Sequence, residues 1–125
     1  KALVLYFYPR GDTSGCTKQA IAFTQMQDEF AKAGARILGV SPDKPAKLSK
    51  FRDKHDLGVA LAGDETHEMM EAYGVWTEKS MYGRKYMGVE RSTFLIDRKG
   101  VIRKVWRKVK VAGHAEDVLA ALKAL

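Results

Sequence analysis

The apolar and polar residues divide the chain into short apolar runs and longer amphipathic stretches. Residues 2–8 and 36–40 are largely apolar runs with the length of strands, residues 57–61 are a short and weaker one, and residues 89–97 are a mixed segment that we also predict to be a strand. Residues 101–109 alternate valines with basic residues after the turn Arg98-Lys99-Gly100. Continuous apolar runs are typical of strands covered on both faces, whereas charge on both faces is typical of an edge strand. We therefore predict buried strands at residues 2–8 and 36–40, a short strand at 57–61, and a closing hairpin in which residues 89–97 pair with residues 101–109.

Four amphipathic stretches predict helices between and after these strands. They cover residues 16 or 17 to 33, 45–55, 66–73 and 115–125. Gly34 and Gly74 follow two of them as stop signals, Pro45 suits a first turn, and Asp64 or Thr66 is placed to cap the third. Residues 75–86 are predicted to be irregular. The order β-α-β-α-β-α-β-β-α predicts an α/β fold with a mixed central sheet and helices on both faces.

Length and composition fit one folded domain over residues 1–125. The chain is 46% hydrophobic, so it can bury a full core. No apolar run approaches the roughly 20 residues needed to span a membrane. The chain opens at Lys1 directly into a strand-like run, so we expect that an N-terminal leader or hairpin precedes it in the natural protein. The single cysteine excludes an internal disulfide and allows a reducing compartment.

The net charge of +7 raises the possibility of an acidic partner such as nucleic acid. Eleven basic residues lie between Lys79 and Lys110, with Tyr82, Tyr86 and Trp106 among them. A solvated charged face is the favoured interpretation, because charged surfaces are usual in soluble domains. A basic nucleic-acid-binding module remains the alternative, although the hairpin lacks an RNA-binding aromatic motif.

The residue with the clearest chemistry is Cys16, between a loop and a predicted helix start. Unpaired backbone N–H groups and the helix dipole favour negative charge there, so the reactive thiolate is stabilised. Thr13 is placed to turn its hydroxyl toward the sulfur or a bound oxygen. Pro9 stiffens the loop, and Gly15 leaves room for a small molecule to approach the backbone. The alternative is a structural buried cysteine, but the flanking residues are polar rather than core-like.

Two separated segments resemble the peroxiredoxin family. Residues 7–17, Phe-Tyr-Pro-Arg-Gly-Asp-Thr-Ser-Gly-Cys-Thr, are similar to its active-site motif of proline, three residues, threonine, two residues and cysteine. Residues 91–97, Arg-Ser-Thr-Phe-Leu-Ile-Asp, resemble the strand that carries the family's arginine. Residues 73–76, 81–83 and 103–106 look like the bacterioferritin comigratory protein, or peroxiredoxin Q, branch. The resemblance covers nearly the whole chain and implies a thioredoxin-like fold.

The resemblance also implies roles for named residues. Cys16 would be the peroxidatic cysteine, which attacks the O–O bond and becomes a sulfenic acid. Thr13 and the Cys16 N–H would hold the peroxide, and Arg91 would stabilise the thiolate and the leaving oxygen. Pro9 and Gly15 would shape the substrate pocket. Gln19 stands where this branch often has a glutamate and would take a polar part in the site. No cofactor and no metal are implied.

The departures from the branch change the expected cycle. Ser14 replaces a common proline, and the positions at which this branch carries a second cysteine are here Ile21 and Arg52. We therefore predict a one-cysteine cycle, in which an external thiol such as thioredoxin, glutaredoxin or a small thiol reduces the sulfenic acid. Hydrogen peroxide and organic hydroperoxides are the expected substrates, with no nucleic-acid or membrane partner. A redox relay that senses peroxide is the alternative use of the same thiolate.

The remaining expectations concern the oligomeric state, the compartment and the three histidines. We expect a monomer or weak homodimer in the cytoplasm, with an organelle possible because the leader is missing. His55, His67 and His114 show no metal-ligand spacing and are interpreted as surface or capping residues.

Overall fold

A five-stranded mixed sheet forms the centre of the computed structural model, which describes all residues 1–125. Its strands lie in the order β3-β2-β1-β6-β7. The first three run parallel to one another, while β6 and β7 are antiparallel to their neighbours. A separate hairpin contains β4 and β5. The bounds are β1 Ala2–Phe7, β2 Ala35–Ser41, β3 Ala60–Gly63, β4 Trp76–Met81, β5 Arg84–Val89, β6 Ser92–Ile96 and β7 Ile102–Trp106.

Five helices cover this sheet, and their bounds are α1 Ser14–Gln25, α2 Gln27–Lys32, α3 Pro45–His55, α4 Glu68–Ala72 and α5 His114–Lys123. On one face, Phe23 of α1, Phe30 of α2 and Val118 of α5 belong to the larger core cluster. On the other face, Met70 of α4 packs in a smaller cluster with Val89. The prediction of a mixed sheet with helices on both faces is confirmed. None of the five helices combines the length and the apolar character that a membrane-spanning segment requires.

Strand β1 is central because both of its faces are apolar. Val4 and Tyr6 enter the larger core cluster, while Leu5 and Phe7 enter the smaller one on the opposite face. This alternation follows from the two-residue period of a strand. The buried strand also directs the chain at its carboxyl end into the loop that precedes α1.

The long helix predicted to end at residue 33 is two helices. The break lies at Met26, whose φ of −102° and ψ of 4° are not helical. Asp28 and Glu29 occupy the first turn of α2, where carboxylates are favourable. These two residues are the signal in the sequence for a new helix start. Gly34, with φ of 87°, ends α2 as predicted.

The stretch predicted to be irregular, residues 75–86, contains β4 and the first half of β5, which pair in a hairpin, so that prediction was wrong. Tyr82 and Gly83 form its two-residue turn, with φ of 53° and 77°. Positive φ at both positions matches the twist of paired strands. Charged residues occupy both strands because most of the hairpin faces solvent. They obscure the apolar alternation by which a strand is recognised.

Smaller differences concern the ends of the other elements. Strand β3 begins at Ala60 because Leu57 and Val59, although apolar, are buried in the core ahead of the paired segment. The predicted strand at 89–97 is divided between β5 and β6, with Glu90 and Arg91 between them. Arg91 therefore lies outside the regular ladder, immediately before β6.

His114 is buried rather than a surface or capping residue, which corrects the prediction. Its side chain is 5% exposed, and Nε2 lies 2.7 Å from Thr93 Oγ1. The ring also packs edge-on against Phe23 and Trp106. Burial, with a smaller contribution from Arg91, lowers the pKa of His114 to about 4. The folded protein therefore holds this imidazole neutral at neutral pH.

We predict that acid destabilises the fold through His114. The unfolded chain binds a proton near pH 6.5, whereas the folded chain binds it only near pH 4. The stability is fully present above pH 6.5 and falls as the pH drops toward 4, by up to about 3 kcal/mol. Urea unfolding at pH 7 and pH 4.5 measures this loss. His114→Gln should flatten the slope, and the control His67→Gln should retain it; equal slopes in all three proteins would contradict the prediction.

Candidate active site

Cys16 lies in the first turn of α1, directly after the loop that leaves β1. Thr13 is the N-cap residue, and no side chain caps this helix end. The first-turn amides are therefore available to a bound anion or polar oxygen. Cys16 itself is only 2% exposed and belongs to the same core cluster as Tyr6, Tyr8 and Phe23. A polar helix start above an apolar floor encloses the sulfur.

Arg91 brings a positive charge to this sulfur from a position 75 residues away in the chain. Its Nη2 donates to Cys16 Sγ at 3.1 Å. Its backbone carbonyl accepts a hydrogen bond from the Val109 N–H at 2.9 Å, which fixes the start of β6. A guanidinium at this distance stabilises negative charge on sulfur and on an oxygen bound beside it. The structure thus joins the two segments whose sequences stood out.

Gln19 completes the contact from one helical turn farther along α1. Its Oε1 accepts a hydrogen bond from Arg91 Nη1 at 2.6 Å. The side chain is 1% exposed, and its Nε2 has no hydrogen-bond partner. Gln19 therefore orients the guanidinium without neutralising its charge, whereas a carboxylate at this position would neutralise that charge.

The remaining residues predicted for the site lie in the loop before α1. A Cβ on Gly15 would come within 3.3 Å of Arg91 Nη2, so glycine gives the guanidinium room. Thr13 Oγ1 donates to the Arg10 carbonyl at 2.8 Å, which leaves its oxygen free to accept. Pro9 is half-buried directly after Tyr8. These contacts place the residues, while their roles toward a substrate remain predictions.

Two tyrosines beneath Cys16 were not predicted as part of the site. Tyr6 and Tyr8 are fully buried, their rings lie 5.6 Å apart, and neither hydroxyl has a hydrogen-bond partner. Burial raises the pKa of Tyr8 to about 12 and raises the pKa of Tyr6 well above its usual value. Both phenols stay neutral, so the floor of the site provides no competing charge.

Two carboxylates tie the loop before α1 to the rest of the fold. Buried Asp43 accepts from the Gly11 N–H at 2.7 Å and from Ser41 Oγ at 2.9 Å. Asp12 lies 2.9 Å from both Lys54 and His55 of α3, and these contacts lower its pKa. Neither set of contacts was predicted from the sequence. Gly11 follows β1 and Asp43 follows β2. Because the carboxyl ends of adjacent parallel strands meet at one sheet edge, their positions in the chain could have indicated this contact.

The arrangement suits nucleophilic attack by sulfur on a small polar molecule. It combines an activated cysteine position, a fixed cation and free backbone donors with a neutral, apolar floor. No group of three or more His, Cys, Asp or Glu side chains is arranged to hold a metal ion.

Comparison with known proteins identifies this chemistry. The AhpC/TSA family profile matches residues 1–105. Peroxiredoxin Bcp of Bacillus subtilis strain 168 is 49% identical over 123 residues, which cover 98% of this chain and 78% of the relative. Peroxiredoxin Bcp of Escherichia coli K12 is 46% identical over 121 residues, which cover 97% and 78%.

Solved structures of proteins with the same family names superpose closely on this chain. The bacterioferritin comigratory protein of Xanthomonas campestris, studied for its alkyl peroxide reduction activity, superposes with a TM-score of 0.94 at 47% identity. The match covers 98% of this chain and 78% of that one. Peroxidoxin BcpB of Mycobacterium tuberculosis gives a TM-score of 0.87 at 33% identity, covering 99% and 79%.

The chain therefore belongs to the AhpC/TSA family, within its Bcp or peroxiredoxin Q group. It has the thioredoxin-like peroxiredoxin fold. Its activity is that of a thiol-dependent peroxidase, which confirms the function predicted from the two sequence segments.

Proposed function

We propose that Cys16 is the peroxidatic cysteine and that the protein reduces hydrogen peroxide and organic hydroperoxides by a one-cysteine cycle. The observation that carries the proposal is the 3.1 Å contact between Arg91 Nη2 and Cys16 Sγ. It places a fixed cation beside the one thiol of the chain at a helix start. A cation and a helix start together stabilise a thiolate, and they also stabilise the negative charge that develops on the leaving oxygen of the peroxide.

In the first step, the Cys16 thiolate attacks the nearer oxygen of the hydroperoxide. An S–O bond forms, the O–O bond breaks, and sulfur is oxidised to sulfenic acid. The electron pair leaves on the distal oxygen, which takes a proton to give water or an alcohol. Arg91 stabilises that developing charge, while the Cys16 N–H and Thr13 Oγ1 bind the peroxide. Pro9 and Gly15 shape the space around it.

In the second step, an external thiol attacks the sulfenic sulfur and releases water, giving a mixed disulfide. A second thiol then attacks this disulfide, restores Cys16 and leaves the oxidised reductant. The absence of a second cysteine in the chain supports this cycle. Thioredoxin, glutaredoxin or a small thiol can supply the electrons. The cycle needs one chain and a reductant, consistent with a monomer or weak homodimer in a cytoplasm that keeps thiols reduced.

The product of a single turnover tests this cycle. After one equivalent of hydrogen peroxide without added thiol, a dimedone adduct should form on Cys16 in nearly every chain. Subsequent dithiothreitol, added to unlabelled oxidised protein, should restore the free thiol. Cys16→Ser should give no adduct. A disulfide between two chains as the main product, or an unmodified Cys16, would contradict the proposed cycle.

A further inference from the structure

The whole net charge of the protein lies in one segment, residues 98–110, which we call the basic strip. It contains seven basic residues and no Asp or Glu: Arg98, Lys99, Arg103, Lys104, Arg107, Lys108 and Lys110. Without them, 15 Lys and Arg would face 15 Asp and Glu in the rest of the chain. The positive field of the protein therefore originates from this segment rather than from the surface as a whole.

Little of this charge is neutralised within the protein. Arg103 lies 3.4 Å from Asp97, and Arg107 lies 3.9 Å from Glu90. The other five cations make no salt bridge. All seven side chains are exposed, so the strip presents its charge to whatever approaches it.

The strip also exposes apolar surface between its charges. Val101, Ile102 and Val105 are 53%, 47% and 39% exposed. Apolar side chains surrounded by charged ones are typical of protein interaction surfaces. The register shift between Leu95 and Ile96, opposite this strand, interrupts regular pairing and disfavours addition of another strand.

The end of the strip lies beside the arginine of the active site. Lys108 and Val109 line a cleft of about 350 Å³ together with Arg91, the residue that contacts Cys16, and with the carboxylates Glu78 and Glu90. The Val109 N–H also bonds the Arg91 carbonyl. A protein seated on the strip would thus extend to the residue that holds the reacting sulfur.

We propose that the basic strip docks the reductant, and that this reductant is a protein with an acidic surface beside its reactive thiol. This inference rests on the proposed one-cysteine cycle, which requires a thiol from another molecule. Charge complementarity selects the partner, because seven largely unpaired cations attract an acidic surface and repel a second copy of this chain. Strand β7 alone spans about 17 Å, too far for a small thiol to contact along its length.

The test compares two variants with the same net charge. The strip variant carries Lys99→Glu, Lys104→Glu and Lys110→Glu, and the control carries Lys32→Glu, Lys50→Glu and Lys123→Glu. Cys16 is first oxidised with one equivalent of hydrogen peroxide. Its re-reduction is then followed by stopped flow with an acidic thioredoxin, with dithiothreitol and with glutathione.

We expect the strip variant to be re-reduced by the acidic thioredoxin at least about 10-fold more slowly at low salt, and the control within about 3-fold of wild type. Dithiothreitol should act equally on all three proteins, and 0.5 M salt should reduce the difference. Docking at this strip would be overturned if both variants were re-reduced equally slowly by thioredoxin. It would also be overturned if the strip variant were re-reduced by glutathione with as large a loss of rate as by thioredoxin. If wild type and the control bound duplex DNA, the strip variant did not, and all three were re-reduced at the same rate, the strip would be assigned to nucleic-acid binding instead. Failure to oxidise Cys16 at the outset would refute the peroxidatic assignment itself.

Discussion

Replacing Cys16 with serine is expected to abolish peroxide reduction completely. The substitution exchanges Sγ for Oγ at a site that is 2% exposed and leaves Arg91 and Gln19 in place. A serine hydroxyl is not ionised at this position and is a weak nucleophile without an adjacent base. Consumption of hydrogen peroxide with dithiothreitol as reductant should therefore fall to the rate of the thiol alone.

The serine variant must remain folded for this result to be informative. Because the exchange is nearly isosteric, its urea unfolding midpoint should stay close to that of wild type. A folded Cys16→Ser protein that still consumes peroxide above the background rate would show that the chemistry occurs elsewhere.

Replacing Arg91 with alanine is expected to slow oxidation of Cys16 by about 100-fold to 1000-fold. The variant loses the donor at 3.1 Å from the sulfur and the only cation in contact with it. Both the thiolate and the charge on the leaving oxygen lose stabilisation, so the second-order rate constant with hydrogen peroxide should fall. Arg91→Lys, which restores the charge but not the forked geometry, should recover part of the rate.

Arg103→Ala is the matched control, because it removes a strand arginine with its own carboxylate contact to Asp97. It should oxidise at the wild-type rate. Loss of Arg91 also leaves both polar atoms of buried Gln19 without a partner, at a cost of about 1–3 kcal/mol in stability. The rates must therefore be compared where all proteins are folded. An Arg91→Ala protein that reacts at the normal rate would remove Arg91 from the mechanism.

The sequence predicted the elements that are strongly apolar or marked by local signals. Strand β1 is apolar on both faces, and α3 begins at a proline. Cys16 and Arg91 were found for different reasons. The helix start made Cys16 a plausible nucleophile from the residues alone, whereas Arg91 stood out from its basic neighbours only through the resemblance to a family.

The features that were missed depend on contacts distant in sequence. The β4–β5 hairpin is mostly exposed, so its charged residues hid the alternation. His114 is buried because Thr93 and Trp106 come from other strands to cover it. Asp43 bonds the Gly11 amide from 32 residues away. Such partners are set by the packing of the sheet rather than by local pattern.

The surroundings of Cys16 should make its thiol react with peroxide much faster than a free thiol does. The direct measurement is the second-order rate constant for loss of the Cys16 thiol with hydrogen peroxide at pH 7, by stopped flow, beside free cysteine. The geometry predicts that wild-type protein reacts at least about 1000-fold faster than free cysteine, in keeping with one cationic donor and a helix start acting together. A rate equal to that of free cysteine in the folded, reduced protein would contradict the account.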